Sequence, residues 1–210
     1  MPCRQRVPTL SPHGRFHTGR NSDPILNILK RVLRGTSAVL EIGCGTGEQA
    51  PYFAAALPQL RWLPTDFSAA AIASAAAWRT GAKIKNILPP AQLDAASPPW
   101  ALPIGFAPDA IISINMIHIA PMAACEGLIA GAGALLGEGG VLFLYGPYKQ
   151  GGAHTAPSNE MFDQSLRSRD PAWGIRDIET IIELAQHNGL AHQETIDMPS
   201  NNLSVIFRRG

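Results

Sequence analysis

Three glycines at alternate positions, Gly43, Gly45 and Gly47, close the run Ala38-Val-Leu-Glu-Ile-Gly-Cys-Gly-Thr-Gly47. Glycine has no Cβ and takes φ > 0 readily, so such a loop turns sharply and lets backbone press against a ligand. At the carboxyl end of the first strand of an α/β sheet, this is where nucleotide-like ligands bind. The dinucleotide fingerprint places its third glycine three residues after the second, and that position here is Glu48. A carboxylate there would face the pyrophosphate, which excludes an NAD-type oxidoreductase. A nucleoside ligand without phosphate is compatible with it.

Three further polar residues stand where strands are expected to end. Asp66 follows Gly47 by 19 residues, and a carboxylate there accepts hydrogen bonds from both ribose hydroxyls of an adenosyl group. It also suits a helix N-cap ahead of Ser68, and the two roles are compatible. Asp94 is placed to accept from an adenine amino group, the alternative being a solvated loop carboxylate. Asn115 and Met116 would border the far end of the same ligand, unless Asn115 serves only as a turn residue. Glu41 either stiffens the glycine loop through its backbone amides or touches the ligand. Cys44 and Phe67 flank these positions, Cys44 reading as a packing residue rather than a nucleophile.

Beyond them lie the residues able to move a proton. His118 is a candidate general base, a structural histidine held by backbone groups being the alternative. Tyr148 is the second candidate base, and Tyr145, Tyr148 and Asn159 are candidate walls of a substrate pocket with His118, simple packing being the alternative for the two tyrosines. Arg20 and Asn21, ahead of the first helix, could fold over the site and hold a carboxylate of the ligand. The six histidines show no metal-ligand spacing, and no metal is expected.

These side chains need a scaffold that brings strand ends together. Pro24 at a first helical position, with Ser22 or Asp23 as N-cap, opens a helix whose apolar face is Ile25, Ile28, Leu29, Val32 and Leu33. Strands are expected at Ala38–Ile42 and Leu60–Thr65, then near Lys85–Leu88 or later towards Leu93, at Ala110–Ile114 and at Val141–Tyr145. Helices are expected between them, near Gln49–Leu57, from Ser68 to about Trp78, and over Met122–Leu136. A polar excursion from Gly146 to Trp173 reads as a lid that shapes an acceptor pocket. A helix over Arg176–Asn188 and strands near Ala191–Asp197 and Leu203–Arg208 complete the chain. Alternating strands and helices give a parallel sheet by right-handed crossovers. The last two strands have no helix between them and should be antiparallel.

Composition sets the outer bounds. The 210 residues suit one domain with a sizeable core. Residues 1–21 read as a flexible basic arm and residues 22–210 as a single domain. Residues 1–34 hold seven Lys or Arg and one acid, leaving 10 basic and 15 acidic residues of the chain's 17 and 16 for the remainder. A mildly acidic body makes nucleic acid a poor partner, and a small molecule acceptor is expected. The three scattered cysteines argue against a disulfide framework and suit a reducing compartment. No long apolar run suggests a membrane span, the N-terminus lacks the apolar core of a secretory signal, and a cytoplasmic monomer or homodimer is the default.

The motif E-x-G-x-G-x-G is the pattern of class I S-adenosylmethionine (SAM) methyltransferases. Beyond it, the distinctive segments are Arg20-Asn21-Ser-Asp-Pro-Ile-Leu26, Pro64-Thr-Asp-Phe67, Ile114-Asn-Met-Ile-His-Ile-Ala120, Leu144-Tyr-Gly-Pro-Tyr-Lys149, Thr155-Ala-Pro-Ser-Asn159, Arg169-Asp-Pro-Ala-Trp-Gly174 and Met198-Pro-Ser-Asn-Asn202. From about residue 16 to the end, the chain resembles the methyltransferase-like 26 family. The resemblance implies a Rossmann-like class I methyltransferase fold: a seven-stranded, mostly parallel sheet with an antiparallel last strand and helices on both faces. It implies SAM as cofactor, S-adenosyl-L-homocysteine as product, and Gly43, Gly45, Gly47, Asp66 and Asp94 as cofactor contacts. It supplies no acceptor. A SAM-binding protein without methyl transfer is the alternative.

Overall fold

A computed structural model describes residues 21–210, so Arg20, Cys3 and nearly all of the basic arm lie outside the described residues. The first helix, α1 (Ser22–Val32), buries Ile25, Leu26, Leu29 and Val32. It starts two residues before Pro24, the expected first helical position. Asn21 is its N-cap without a side-chain cap bond, and the Asp23 carboxylate instead accepts from the Tyr52 hydroxyl.

Strand β1 (Ala38–Ile42) is buried throughout and is followed by the glycine loop and α2 (Gln49–Ala56). Strand β2 (Arg61–Asp66) leads into α3 (Ala69–Ala82), where the Ser68 hydroxyl accepts from the Ala71 amide as expected of a cap. The third strand is short and falls at the later of its two expected positions. Leu88 donates to Trp62, Pro89 and Pro90 then remove two ladder donors, and pairing resumes only over β3 (Ala91–Gln92).

Strand β4 (Ala110–Ile114), helix α4 (Met122–Leu135) and strand β5 (Val141–Gly146) fall where apolar runs placed them. The glycines of α4 serve a close approach other than the expected one to the sheet. A Cβ on Gly127 would strike the Ala95 carbonyl at 2.2 Å, and one on Gly131 the Trp100 ring at 2.4 Å. They dock the helix on the 95–100 loop.

The excursion after β5 is structured. It contains β6 (Tyr148–Gln150), β7 (Ala153–His154) and α5 (Pro157–Arg169), and β8 (Arg176–Asp177) joins β6 and β7 in a small second sheet. Helix α5 escaped a periodicity reading because its buried positions are Asn159, Asp163 and Leu166, two of them polar. Helix α6 (Ile178–His187), strand β9 (Leu190–Met198), a single tight turn (Pro199–Asn201) and strand β10 (Asn202–Arg209) follow.

The main sheet has the order β3-β2-β1-β4-β5-β10-β9. The pairs from β3 to β5 are parallel, and β10 runs antiparallel to both β5 and β9. One apolar layer joins the sheet to α1 and α2, and the other joins it to α4 and α6. Along β1, Leu40 and Ile42 face the second layer and Val39 the first, the alternation of a strand covered on both sides. This Rossmann-like, class I methyltransferase architecture brings the carboxyl ends of β1, β2 and β4 to one edge.

Candidate functional site

The glycine loop is held from beneath by β2. The Gly43 and Cys44 amides both donate to the Thr65 carbonyl at 2.9 Å, and the Gly45 amide donates to Asp66 Oδ2 at 2.9 Å. The other Asp66 oxygen accepts from the Ser68 amide at 2.8 Å, so one carboxylate ties the loop to the start of α3. The three glycines have φ of +76°, +55° and +76°, but their surroundings differ. A Cβ on Gly43 would lie 2.5 Å from Met116 and one on Gly47 2.4 Å from Ala75, whereas Gly45 has nothing within 4 Å. Gly43 and Gly47 are therefore fixed by packing, and Gly45 presents open backbone.

Glu41 does not brace the loop amides, which are taken by Thr65 and Asp66. It is buried, and its carboxylate accepts from the Trp62 indole N–H at 2.7 Å, bridging β1 and β2. Burial raises its pKa to about 7; the indole bond opposes that rise and the Asp66 charge adds to it. The Cys44 thiol is pushed up by burial, then by the Glu41 and Asp66 charges, which keeps it a packing group rather than a thiolate.

Above the loop lies a cavity of about 770 Å³, within the range of small-molecule sites. Glu41, Gly43, Cys44, Gly45, Asp66, Phe67, Asp94, Asn115 and Met116 all line it. Phe67 is 70% exposed and forms part of the rim. Asp94 accepts from the Ala96 amide at 2.9 Å and the Ser97 hydroxyl at 3.0 Å, which orients its carboxylate at the end of β3. Glu48 is at the N-cap of α2 without a cap bond and lines the cavity, where a phosphate would otherwise meet the helix end. Asn21 lines neither this cavity nor the next; its Oδ1 is buried without a partner among the described residues.

Several lining residues were not among the expected ligand contacts. Ile119, Ala120 and Pro121, ahead of α4, are apolar and ungrouped, and Trp173 arrives from the far end of the excursion. A clamp delivers them together. Arg176 donates to the carbonyls of Ile117 at 3.1 Å, Ala120 at 2.6 Å and Ala172 at 3.1 Å, and the Gly174 amide donates to the His118 carbonyl at 3.0 Å. Helix α5 is anchored by buried Asp163, which accepts from the Ile175 amide at 2.6 Å and Arg167 at 3.1 Å. Lys149 and His154 each stand 3.5 Å from the same carboxylate.

A second cavity, of about 530 Å³, shares Asn115 and Ile119 with the first. His118, Pro147, Ser158, Asn159, Phe162 and Ser200 to Asn202 complete it. His118 is 3% exposed, its ring stands edge-on to Phe162 at 5.7 Å, and burial followed by the Arg176 charge lowers its pKa to about 4. It is therefore neutral near pH 7. Its Nδ1 is buried without a partner among the described residues and faces Gly146, which leaves Nε2 as the nitrogen with access to the cavity.

The two tyrosines are not walls of this cavity. Tyr145 is buried and supports it from behind, its hydroxyl accepting from Asn202 Nδ2 at 3.1 Å. Tyr148 is fully buried in the layer of α4 and α6, its hydroxyl without a partner among the described residues and its pKa pushed far up by burial. The chain leaves β5 at Gly146, and Pro147 restarts the pleat with Tyr148 turned into the core. Tyr148 cannot act as a base from there. Asn159 does line the cavity, as expected.

A family model described as "Protein of unknown function (DUF938)" matches residues 15–209. The chain belongs to that family. Among solved structures, it is similar to an O-methyltransferase family protein from Burkholderia thailandensis, with a TM-score of 0.76, 15% identity, and coverage of 90% of this chain and 56% of that one. It is also similar to an O-methyltransferase family 2 protein from Planctomyces limnophilus in complex with apigenin, with a TM-score of 0.75, 16% identity and coverage of 90% and 56%. Human N-acetylserotonin methyltransferase in complex with SAM gives a TM-score of 0.67, 13% identity and coverage of 90% and 55%. The chain thus spans little more than half the length of these proteins. At such identities the likeness establishes the fold. Among the described residues, no group of three or more His, Cys, Asp or Glu could hold a metal ion, and no helix is long and apolar enough to cross a membrane.

Proposed function

We propose that this protein transfers a methyl group from SAM to a small-molecule acceptor by in-line displacement. The observation that carries the reading is the pair of cavities meeting at Asn115 and Ile119. One is floored by an open glycine loop and two oriented carboxylates, and the other contains a neutral histidine. The residues fit the cofactor: Gly45 leaves room against the backbone, and Asp66 keeps lone pairs for ribose hydroxyls beyond its two amide bonds. Asp94 suits an adenine amino group, and Asn115 and Met116 border the amino-acid end. When bound, SAM supplies an electrophilic methyl on a sulfonium and leaves as S-adenosyl-L-homocysteine.

The chain's own part is alignment, exclusion of water and proton handling. Asn115 and Ile119 form the boundary across which acceptor and cofactor meet. Trp173 and Ile119 are placed to keep water from that boundary. His118 Nε2 receives the acceptor's proton. The resemblance to the methyltransferase-like 26 family and the O-methyltransferase-like fold both support this reading.

A second reading is a SAM-binding protein without methyl transfer. The depressed basicity of His118 and the lack of a carboxylate bonded to it among the described residues favour that alternative. Incubation with methyl-labelled SAM and a metabolite pool separates the two. Labelled product is the expected result, and tight SAM binding with no label transferred to any pool component would overturn methyl transfer. A thermal shift produced by NAD and not by SAM would overturn the cofactor as well.

A further inference from the structure

The second cavity has a chemical bias that its outline alone does not convey. Asn159 is 5% exposed, and its Nδ2 donates to Thr155 Oγ1 at 3.1 Å and to the Asn201 carbonyl at 2.9 Å. Asn202 Nδ2 donates to Tyr145 Oη at 3.1 Å and to the Pro199 carbonyl at 3.3 Å. Each amide therefore spends both N–H donors on the protein, and a backbone carbonyl in each pair fixes which end is nitrogen. What remains on each is Oδ1, a strong acceptor with no donor reaching it among the described residues. Neither oxygen is among the buried side-chain atoms left without a partner, so both are accessible and free to accept from a ligand's donors.

The rest of the wall narrows the ligand further. No Lys, Arg, Asp or Glu lines this cavity, so neither a carboxylate nor an ammonium ligand finds a counter-ion. Burying either without one is strongly unfavourable. The same cavity is lined by Phe162, 39% exposed, Ile119, 42% exposed, and Pro147, apolar surfaces suited to a flat ring. Ser200 and Asn201 hold φ of +63° and +56° in the turn that brings Asn202 to the cavity. Asn159 stands in α5 and Asn202 opens β10, so regular elements carry both amides.

Resting on the reading of this cavity as the acceptor site, we propose that it selects an uncharged aromatic acceptor carrying two neighbouring hydrogen-bond donors, which Asn159 Oδ1 and Asn202 Oδ1 receive. Asn159 and Asn202 are then specificity residues, one from the excursion and one from the start of the last strand.

The test is binding, which needs neither cofactor nor turnover. The full chain, with side-chain amides of Asn159 and Asn202 assigned by nitrogen-15 NMR, is titrated with catechol, 1,2-dimethoxybenzene and phthalate. Catechol offers two donors, dimethoxybenzene has a similar ring without donors, and phthalate is its anionic counterpart. The expected result is that catechol shifts both amide signals and binds at least about tenfold tighter than the other two, the effect of losing one or two hydrogen bonds. Equal binding of dimethoxybenzene, tighter binding of phthalate, or no catechol binding at millimolar concentration would each overturn the proposal. Asn159→Asp gives an independent check: its added charge is expected to admit benzylammonium at least about tenfold more tightly than the parent does, and an unchanged affinity would overturn the assignment of Asn159. Because SAM plays no part, loss of these results leaves the cofactor reading standing, and absence of methyl transfer leaves them standing.

Discussion

Replacing Glu41 by glutamine is expected to change how stability depends on pH more than it changes stability at low pH. Glu41 is 2% exposed, and burial raises its pKa from 4.5 to about 7. The folded state holds this proton more tightly than the unfolded chain does. The group's contribution is thus fully present below pH 4.5 and is lost as the pH rises towards 7. At about 1.36 kcal/mol per unit, the interval corresponds to about 3 kcal/mol. Glutamine keeps an oxygen to accept the Trp62 indole N–H and removes the titration. Urea denaturation of both proteins between pH 4 and 8 checks this: relative to the parent, the variant should gain about 3 kcal/mol over that range. A difference that stays constant with pH would refute the claim that ionising Glu41 costs folding energy. His118 runs in the opposite sense, because its pKa falls from 6.5 to about 4 and the unfolded chain takes the proton first. Its contribution is present above pH 6.5 and is lost as the pH drops to 4, again by about 3 kcal/mol. Between pH 4.5 and 6.5 the two slopes largely cancel in the parent. Glu41→Gln should therefore uncover a stability that rises with pH, and His118→Gln one that falls.

Two more outcomes follow from the site. Asp66→Ala removes the acceptor for the Gly45 and Ser68 amides and the proposed ribose partner. Calorimetry is expected to show SAM affinity falling by about 100-fold, the worth of one or two charge-assisted bonds, and an unchanged affinity would remove Asp66 from the cofactor site. Tyr148→Phe deletes a buried hydroxyl that has no partner among the described residues. Stability is expected to hold or to rise by about 1 kcal/mol, with label transfer unaltered, whereas loss of transfer with an intact fold would restore Tyr148 as a catalytic candidate.

The two halves of the candidate site differed in legibility for a physical reason. The cofactor half is made of one contiguous glycine loop and of side chains where strands stop, and both leave local marks: alternate glycines, apolar runs, and a carboxylate closing a strand. That is why Gly43, Gly45, Asp66, Asp94 and Asn115, which line one cavity, could be grouped from residue order although Gly47 does not line it, and why β1, β4 and the antiparallel β10 were placed closely. The third strand was left between two positions because Pro89 and Pro90 split its pairing into a single bridge at Ile87 and the two-residue β3. Glu41 sat at the expected strand end, but its partner is Trp62, 21 residues away, and no pattern within β1 announces an indole.

The proposed acceptor half is assembled from Asn115, His118, Ile119, Pro147, Ser158, Asn159, Phe162 and Ser200 to Asn202, brought together by contacts that cross the chain. Arg176 reaches back 59 residues to the Ile117 carbonyl, and Asn159 reaches forward 42 to that of Asn201. Helix α5 turns Asn159 and Asp163 inward, so a rule that equates burial with apolar spacing misses it. The same rule favoured Tyr145 and Tyr148 as pocket walls because aromatic residues near a strand end look suited to a ligand. The pleat decides otherwise, sending Tyr148 into the core and leaving Tyr145 to hold Asn202 in place. Acceptor specificity is therefore better sought by changing Asn159 and Asn202, whose carbonyl oxygens are left over by the fold, than by changing the tyrosines whose hydroxyls the fold has used or buried.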